Sequence, residues 1–181
     1  MKTLLASILS ALQLVSPEPE LGDLVKKYAE KHNLPAEVVA AVVWQESRGN
    51  PWALRYEPGF YSRYLEGSGP GDLLGYVPKN IPTFETEKRA RAFSFGLMQV
   101  MGNTAREQGF DRRYLAELFN PEISLDVGCG YLRRLYERYD NIVDNDARIK
   151  RALEKYNGGS DYPHIIYKHI ALKSYSEVIR L

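Results

Sequence analysis

The sequence predicts a mainly α-helical domain, on the strength of two observations. Apolar side chains recur at helical spacing in several segments, as at Leu125, Leu132 and Leu135. Pro121 stands at the start of one such segment, and no alternating strand pattern or Asn-Gly hairpin signal competes with the helical one. We therefore expect helices throughout, with at most a small β element in a loop-rich stretch at residues 54–93.

Composition limits the classes of function. The chain has 181 residues, of which 44% are hydrophobic and 26% charged, as in an ordinary single globular domain. Its net charge of +1 gives no electrostatic reason to expect nucleic acid as a partner. The single cysteine excludes an intrachain disulfide, and the three histidines do not cluster with acidic residues or cysteine at the spacing of metal ligands. We assign no metal and no cofactor.

Residues 1–19 allow two interpretations, which the sequence leaves open. One lysine precedes an apolar run of roughly signal-peptide length, but polar residues interrupt the run and "SPEPE" makes a poor cleavage site. The same apolar residues fit an amphipathic helix that packs on the domain. The run is too short and too polar to predict a transmembrane helix. The domain itself is assigned to residues 20–181.

Two helices are predicted before the loop-rich stretch. The first covers about residues 20–32, and Asn33 is suited to end it. Pro35 suits the first turn of the second helix, where its missing N–H leaves no bond unmade. The second helix is expected to end near Ser47, because "GNP" follows shortly after.

Further helices are predicted inside the loop-rich stretch and after it. Two short ones fall at about 60–65 and 85–92. Beyond residue 93 the predicted helices cover about 103–107 with Asn103 as cap, 113–118, 122–139, 146–156 before two glycines, and 175–181.

Glu46 stands out because of its position on the second helix. Val38, Val42 and Glu46 are spaced four residues apart, so they share one helix face and Glu46 extends an apolar stripe. A carboxyl group in apolar surroundings has a raised pKa, as a general acid working at neutral pH requires. At the end of a mostly buried helix, the residue is expected at the mouth of a cleft.

Four stretches, in this order, resemble the soluble lytic transglycosylase catalytic domain, which has a lysozyme-like fold. They are "ESRGNP" from Glu46, "GLMQVM" from Gly96, "NPEISLDVGCGYLRRL" from Asn120 and "ALEKYNGG" from Ala152. The resemblance covers roughly residues 21–181, interrupted by the insertion at 54–93, and the "GLMQ" stretch is shared with goose-type lysozymes. It implies an enzyme that cleaves bacterial peptidoglycan between N-acetylmuramic acid and N-acetylglucosamine, with Glu46 as the single catalytic acid and base.

The resemblance also assigns the residues around Glu46. It implies that Gln99 and Met101 line the sugar cleft, although Met101 could instead fill the core. It implies that Tyr156 and Asn157 face the glutamate, where a tyrosine hydroxyl can orient the carboxyl group, and that Ser94 can orient it as well. One carboxyl group suffices for a transglycosylase, because the C6 hydroxyl of the sugar closes a 1,6-anhydro ring in place of water, whereas hydrolases normally use two carboxyl groups.

Acidic residues in the insertion leave the reaction type open. They are Glu57, Glu66, Asp72, Glu85 and Glu87. Most are expected to be solvated, and Glu57 is expected to form a structural pair with Arg55. If one of them lines the cleft, a goose-type-like muramidase that hydrolyses the same bond becomes an alternative. An alternative of another class is a glycan-binding or structural module of a phage particle or secretion apparatus. The expected location is the bacterial cell envelope, periplasm or exterior, or a phage-encoded lysin, with exo or endo action and oligomeric state undecided.

Overall fold

The structure is a computed structural model that describes residues 20–79 and 83–181. Both interpretations of residues 1–19 therefore concern a segment outside the described residues. The helices are α1 (Leu21–Lys31), α2 (Ala36–Ser47), α3 (Pro58–Phe60), α4 (Phe84–Arg91), α5 (Gly102–Glu107), α6 (Pro121–Glu137), α7 (Asn145–Asn157) and α8 (Tyr162–Leu172). A π-helical turn (Tyr61–Leu65), a 3-10 helix (Leu115–Phe119) and strands β1 (Leu54–Tyr56), β2 (Phe93–Phe95) and β3 (Val100–Met101) complete the fold. The predicted mainly helical class with a small β element is confirmed.

Helix α2 runs through the centre of the core. It packs against α1 and α8, while α6 packs against α1 and α7. The predicted stripe of Val38 and Val42 is buried, but so is the rest of the segment from 38 to 43, with each residue no more than 4% exposed. The helix is thus enclosed on all sides, which explains why its apolar residues run almost without interruption.

The end of α2 falls at Ser47, as predicted. Arg48 adopts a left-handed conformation with φ 56°, and its N–H bonds to the Trp44 carbonyl oxygen at 3.1 Å. Gly49 follows with φ 78°, and a Cβ there would lie 2.5 Å from Cγ1 of Val178. Two left-handed residues in succession turn the chain sharply, so the helix stops one residue beyond Glu46.

The three strands form one antiparallel sheet in the order β1-β2-β3. Arg55 lies opposite Ser94, and Ser94 lies opposite Met101. The insertion leaves the sheet after β1 and returns to it at β2, so its two ends are fixed side by side. The predicted short helices of the insertion are confirmed at 58–65 and 84–91.

A buried ion cluster anchors the insertion. Glu87 is 3% exposed and accepts hydrogen bonds from Arg91 Nε at 3.1 Å and Arg106 Nε at 2.7 Å, and both arginines are fully buried. The expectation that most carboxylates of the insertion are solvated holds for Glu66, Asp72 and Glu85, which are exposed, but not for Glu87. Glu87 is buried because the buried guanidinium groups of Arg91 and Arg106 need a counter-charge.

Two predictions for the second half of the chain are wrong. Asn103 does not cap α5, which begins at Gly102; its Nδ2 instead donates to Glu107 Oε1 at 2.8 Å. The predicted helix at 175–181 is absent: residues 175–178 form turns, residues 179–181 have no regular structure, and the last helix is α8. Tyr175 and Ile179 are both buried and lie four residues apart, which is also the spacing of residues on one helix face. Helix α8 was not predicted because it begins at Tyr162-Pro163, close after the Gly-Gly turn that ends α7.

The other predicted helices are confirmed. Asn120 caps α6 by accepting from the backbone N–H groups of Glu122 and Ile123 at 3.0 and 3.2 Å. Helix α7 ends at Asn157, and Gly158 follows it in a left-handed conformation with φ 83°. None of the helices in the described ranges is long and apolar enough to cross a membrane.

Candidate active site

A cleft of about 220 Å³ lies between the sheet and the C-terminal ends of α2 and α7. It is lined by Glu46, Arg55, Glu57, Phe60, Ser94, Gln99, Met101, Tyr156 and Asn157. All six residues singled out in the sequence are in this set, so the fold brings them together from segments more than a hundred residues apart.

The sheet forms one wall of the cleft. Arg55, Ser94 and Met101 lie opposite one another on the three strands, and all three line the cleft. Directly opposed residues of an antiparallel sheet point to the same face, so the pairing accounts for this row. Met101 is only partly buried and borders the cleft, so it is not a core residue.

The loop between β2 and β3 shapes the floor beside this wall. Gly96 has φ 68°, and a Cβ there would lie 2.3 Å from the Leu118 carbonyl oxygen, so only glycine fits. Gln99 also adopts a positive φ, of 46°, and its Nε2 donates to the carbonyl oxygens of Ala53 and Gly96, both at 3.0 Å. Both amide hydrogens are thereby used, which leaves the amide oxygen of Gln99 to accept a bond from a ligand.

Glu46 lies on the other side, at the end of α2. The Tyr162 hydroxyl donates a hydrogen bond to its Oε1 at 2.5 Å. Burial raises the pKa of the Glu46 carboxyl, while the bond from Tyr162 and the charge of Arg55 act to lower it. Burial is the largest of these effects, so the group keeps its proton to a higher pH than a free glutamate does.

Tyr162 is the residue that the sequence interpretation missed. It is 3% exposed, and burial together with the nearby Glu46 carboxylate raises the pKa of its hydroxyl. It therefore stays protonated and serves as a donor. The sequence signal for Tyr162 was its position six residues after Tyr156. Tyr162 reaches Glu46 only because α8, a helix that was not predicted, packs on α2.

The predicted orienting roles of Tyr156 and Ser94 are not what the geometry shows. The Tyr156 hydroxyl donates to the Met98 carbonyl oxygen at 2.7 Å rather than to Glu46. Burial, and then the charge of Glu46, raise the pKa of Tyr156, so its hydroxyl lies near the carboxylate without bonding to it. Ser94 is 1% exposed and borders the cleft, but forms no hydrogen bond with Glu46.

Of the five carboxylates of the insertion, Glu57 is the one that lines the cleft. Arg55 Nε donates to Glu57 Oε1 at 2.5 Å, which confirms the predicted pair. Their positions two apart at the end of β1 put both side chains on the cleft face. The cleft thus holds two carboxyl groups, one whose pKa is raised by burial and one paired with a guanidinium. Within residues 20–79 and 83–181, no three histidine, cysteine or carboxylate side chains come together as metal ligands would.

The sequence matches known proteins over most of its length. The family model described as the transglycosylase SLT domain matches residues 23–163. A protein named membrane-bound lytic murein transglycosylase F from Desulfosudis oleivorans is 27% identical over 147 residues, which are 81% of this chain and 23% of that protein. One named membrane-bound lytic murein transglycosylase C from Edwardsiella ictaluri is 25% identical over 148 residues, 76% of this chain and 31% of that protein.

A shorter match fits the same pattern. A second membrane-bound lytic murein transglycosylase F, from Alcanivorax borkumensis, is 37% identical over 70 residues, 39% of this chain and 14% of that protein. The chain therefore spans between 14% and 31% of the length of these relatives. No solved structure shows a significant match.

Proposed function

The chain belongs to the transglycosylase SLT domain family, and from that premise we propose that it is a peptidoglycan lytic transglycosylase with Glu46 as its single general acid and base. The bond cleaved is the β-1,4 link between N-acetylmuramic acid and N-acetylglucosamine. One observation carries the proposal: a half-buried carboxyl with a raised pKa lies in a cleft with Gln99, Tyr156 and Asn157. A general acid must hold its proton at the working pH, and burial provides for that here.

The reaction needs two proton transfers at the same carboxyl group. In the first, protonated Glu46 donates to the glycosidic oxygen, the bond from that oxygen to the anomeric carbon breaks, and the 2-acetamido group of the substrate stabilises the positive charge left behind. In the second, the Glu46 carboxylate accepts the proton of the C6 hydroxyl as its oxygen bonds to the anomeric carbon. The 1,6-anhydro ring closes, and Glu46 is protonated again.

Tyr162 suits both halves of this cycle. Its hydroxyl bond to Oε1 fixes the carboxyl orientation while Glu46 is neutral and stabilises the charge while Glu46 is ionised. Because Tyr162 is bound at one oxygen, the other oxygen of Glu46 is the one that faces the sugar and carries the proton back and forth.

The remaining cleft residues are assigned to substrate binding. The amide oxygen of Gln99 accepts from a sugar hydroxyl or acetamido N–H, since both of its N–H groups bond to the backbone. Asn157 is exposed at the end of α7 and offers a second amide. Met101 and the ring of Tyr156 provide apolar surface for a pyranose face, and Ser94 a hydroxyl beneath it.

Hydrolysis of the same bond is the second candidate, and Glu57 is the observation that favours it. A carboxylate in the cleft could take a proton from water and so complete the pair that a muramidase uses. Arg55 opposes this role, because its guanidinium engages Oε1 of Glu57 and gives the carboxylate a standing partner. We therefore place transglycosylation first.

Glu46→Gln tests whether the protein is an enzyme at all. On isolated cell walls the variant is expected to bind glycan as the wild type does while the release of soluble fragments stops. Glu37→Gln is the matched control, because Glu37 is an exposed glutamate at the other end of the same helix. If the wild type and Glu46→Gln bind equally and neither releases fragments, the protein is a binding or structural module and the proposal is wrong.

We place the site of action in the bacterial cell envelope, where peptidoglycan strands lie. The names of the relatives describe membrane-bound murein transglycosylases. A secreted or phage-borne lysin would reach the same substrate, and fractionation of the producing cells distinguishes these locations.

A further inference from the structure

A second hollow, of about 280 Å³, lies beside the candidate active site. It is lined by Phe60, Tyr64, Leu65, Asp72, Leu73, Leu74, Asn103 and Glu107, and we call it the insertion pocket. Phe60 borders both the insertion pocket and the cleft that holds Glu46. The cleft and the insertion pocket therefore adjoin at Phe60.

Hydrogen bonds from a buried arginine fix the loop that forms part of the insertion pocket. Arg91, which is fully buried, donates to the carbonyl oxygen of Leu74 at 2.5 Å and to that of Tyr76 at 2.8 Å. Its guanidinium is in turn bound to buried Glu87. The loop that carries Leu74 is thus fixed before any ligand arrives, which reduces the ordering cost of binding.

Two large apolar side chains of the pocket are exposed, Phe60 is partly buried, and Leu65 and Leu73 are buried. Tyr64 is 55% exposed and Leu74 is 67% exposed, and they lie with Phe60, Leu65 and Leu73 around one hollow. Large apolar side chains exposed together, and rimmed by polar groups, mark a ligand surface more often than isolated ones do.

The charged side chains that line the pocket are acidic, and the buried guanidinium of Arg91 lies beside them: its Nη1 donates to Asn103 Oδ1 at 3.4 Å, and its charge acts on Glu107. Asp72 and Glu107 line the pocket, and none of its lining side chains is basic. Glu107 Oε1 accepts from Asn103 Nδ2, which leaves Oε2 of Glu107 for a ligand. Arg63 lies over the ring of Tyr64, 5.3 Å from its centroid, and is not itself a lining residue. An aliphatic chain that ends in an amine matches this combination of apolar wall and carboxylate.

We propose that the insertion pocket binds the peptide branch of the glycan strand, taking the aliphatic side chain and free amine of its diamino acid. The inference rests on the proposed function. Each N-acetylmuramic acid carries such a branch on its lactyl group, so a sugar held in the cleft brings a peptide to the neighbouring surface. The pocket then selects strands that still carry peptides over bare glycan.

The test compares cleavage of intact strands with cleavage of strands whose peptides an amidase has removed. The double variant Leu74→Ala/Glu107→Lys removes apolar contact and repels the amine. The ratio of kcat/KM on intact strands to kcat/KM on stripped strands is expected to fall roughly tenfold from the wild-type ratio. The control is Leu172→Ala/Glu137→Lys, since Leu172 is 66% exposed, the side chain of Glu137 is 56% exposed, and neither residue lines the pocket.

A binding measurement separates this inference from the proposed function. With Glu46→Gln as background, the same double variant is expected to weaken retention on intact cell walls and to change retention on stripped walls little. If the wild type cleaves both substrates equally well and the double variant leaves the kcat/KM ratio at the wild-type value, the pocket does not bind the peptide branch. If the wild type cleaves neither substrate, the proposed function itself fails.

Discussion

Replacing Glu46 by glutamine is expected to stabilise the protein while it abolishes activity. The carboxyl is half-buried at the end of a helix whose residues 38–43 are almost completely enclosed. Burial raises its pKa, which means that its ionised form is disfavoured in the folded state. Glutamine has the same shape, can still accept the bond from Tyr162 and carries no charge.

The sign of the pH dependence follows from that raised pKa. Between the ordinary glutamate value of 4.5 and the higher folded value, the folded protein binds more protons than the unfolded chain. Its stability therefore falls as the pH rises through this window, whereas glutamine does not titrate. The advantage of Glu46→Gln is absent below the window, grows across it and stays constant above it.

The size of the gain is set by two opposing effects. Desolvation raises the free energy of the Glu46 carboxylate, and the hydrogen bond from Tyr162 at 2.5 Å offsets part of this increase. Single stabilising substitutions commonly gain about 0.5–2 kcal/mol, so we take about 1 kcal/mol. For a chain of this length, that corresponds to a rise in Tm of about 3 °C.

Thermal unfolding followed by calorimetry between about pH 4 and pH 8 measures the effect. The Tm difference between Glu46→Gln and the wild type is expected to increase across this range, while Glu37→Gln shows no such increase. A difference that does not change with pH would mean that Glu46 titrates like a free carboxyl, and the reasoning from burial would be refuted.

Three further substitutions test other parts of the site and its support. Tyr162→Phe should lower kcat about tenfold to a hundredfold and move the alkaline limb of the pH–rate profile upward, because Glu46 loses its orienting and charge-stabilising bond; an unchanged profile contradicts this. Glu87→Gln should lower the free energy of unfolding by about 3 kcal/mol in denaturant titrations, since it leaves two buried guanidinium groups without a counter-charge; exposed Glu85→Gln is the control, and equal effects of the two would be contrary to the account. Arg55→Gln frees its paired carboxylate and should raise the share of hydrolysed product in the digest; a product ratio identical to the wild type would show that the pair does not govern the reaction type.

The parts of the fold that could be predicted depend on neighbours in sequence. The bounds of α2 follow from Pro35 at its start and the turn after Ser47, so Glu46 could be placed at its end. Six of the nine residues that line the cleft followed from the resemblance, and the row formed by Arg55, Ser94 and Met101 shows why two of these six meet.

The parts that could not be predicted depend on contacts across the chain. Tyr162 reaches Glu46 over a separation of 116 residues, and that contact requires α8, whose start resembles a loop in the sequence. Glu87 resembles any exposed helical glutamate until Arg106, 19 residues later, folds against it. Each of these depends on which elements pack together, and local patterns carry little information about that.

Digestion of peptidoglycan in water enriched with ¹⁸O is the most direct test of the central claim. If the Glu46 carboxyl transfers its proton out and back while the sugar closes on itself, the fragments carry no ¹⁸O and are lighter by one water than reducing muropeptides. Fragments with ¹⁸O at a reducing end would show that water attacks the anomeric carbon, and the protein would be a muramidase.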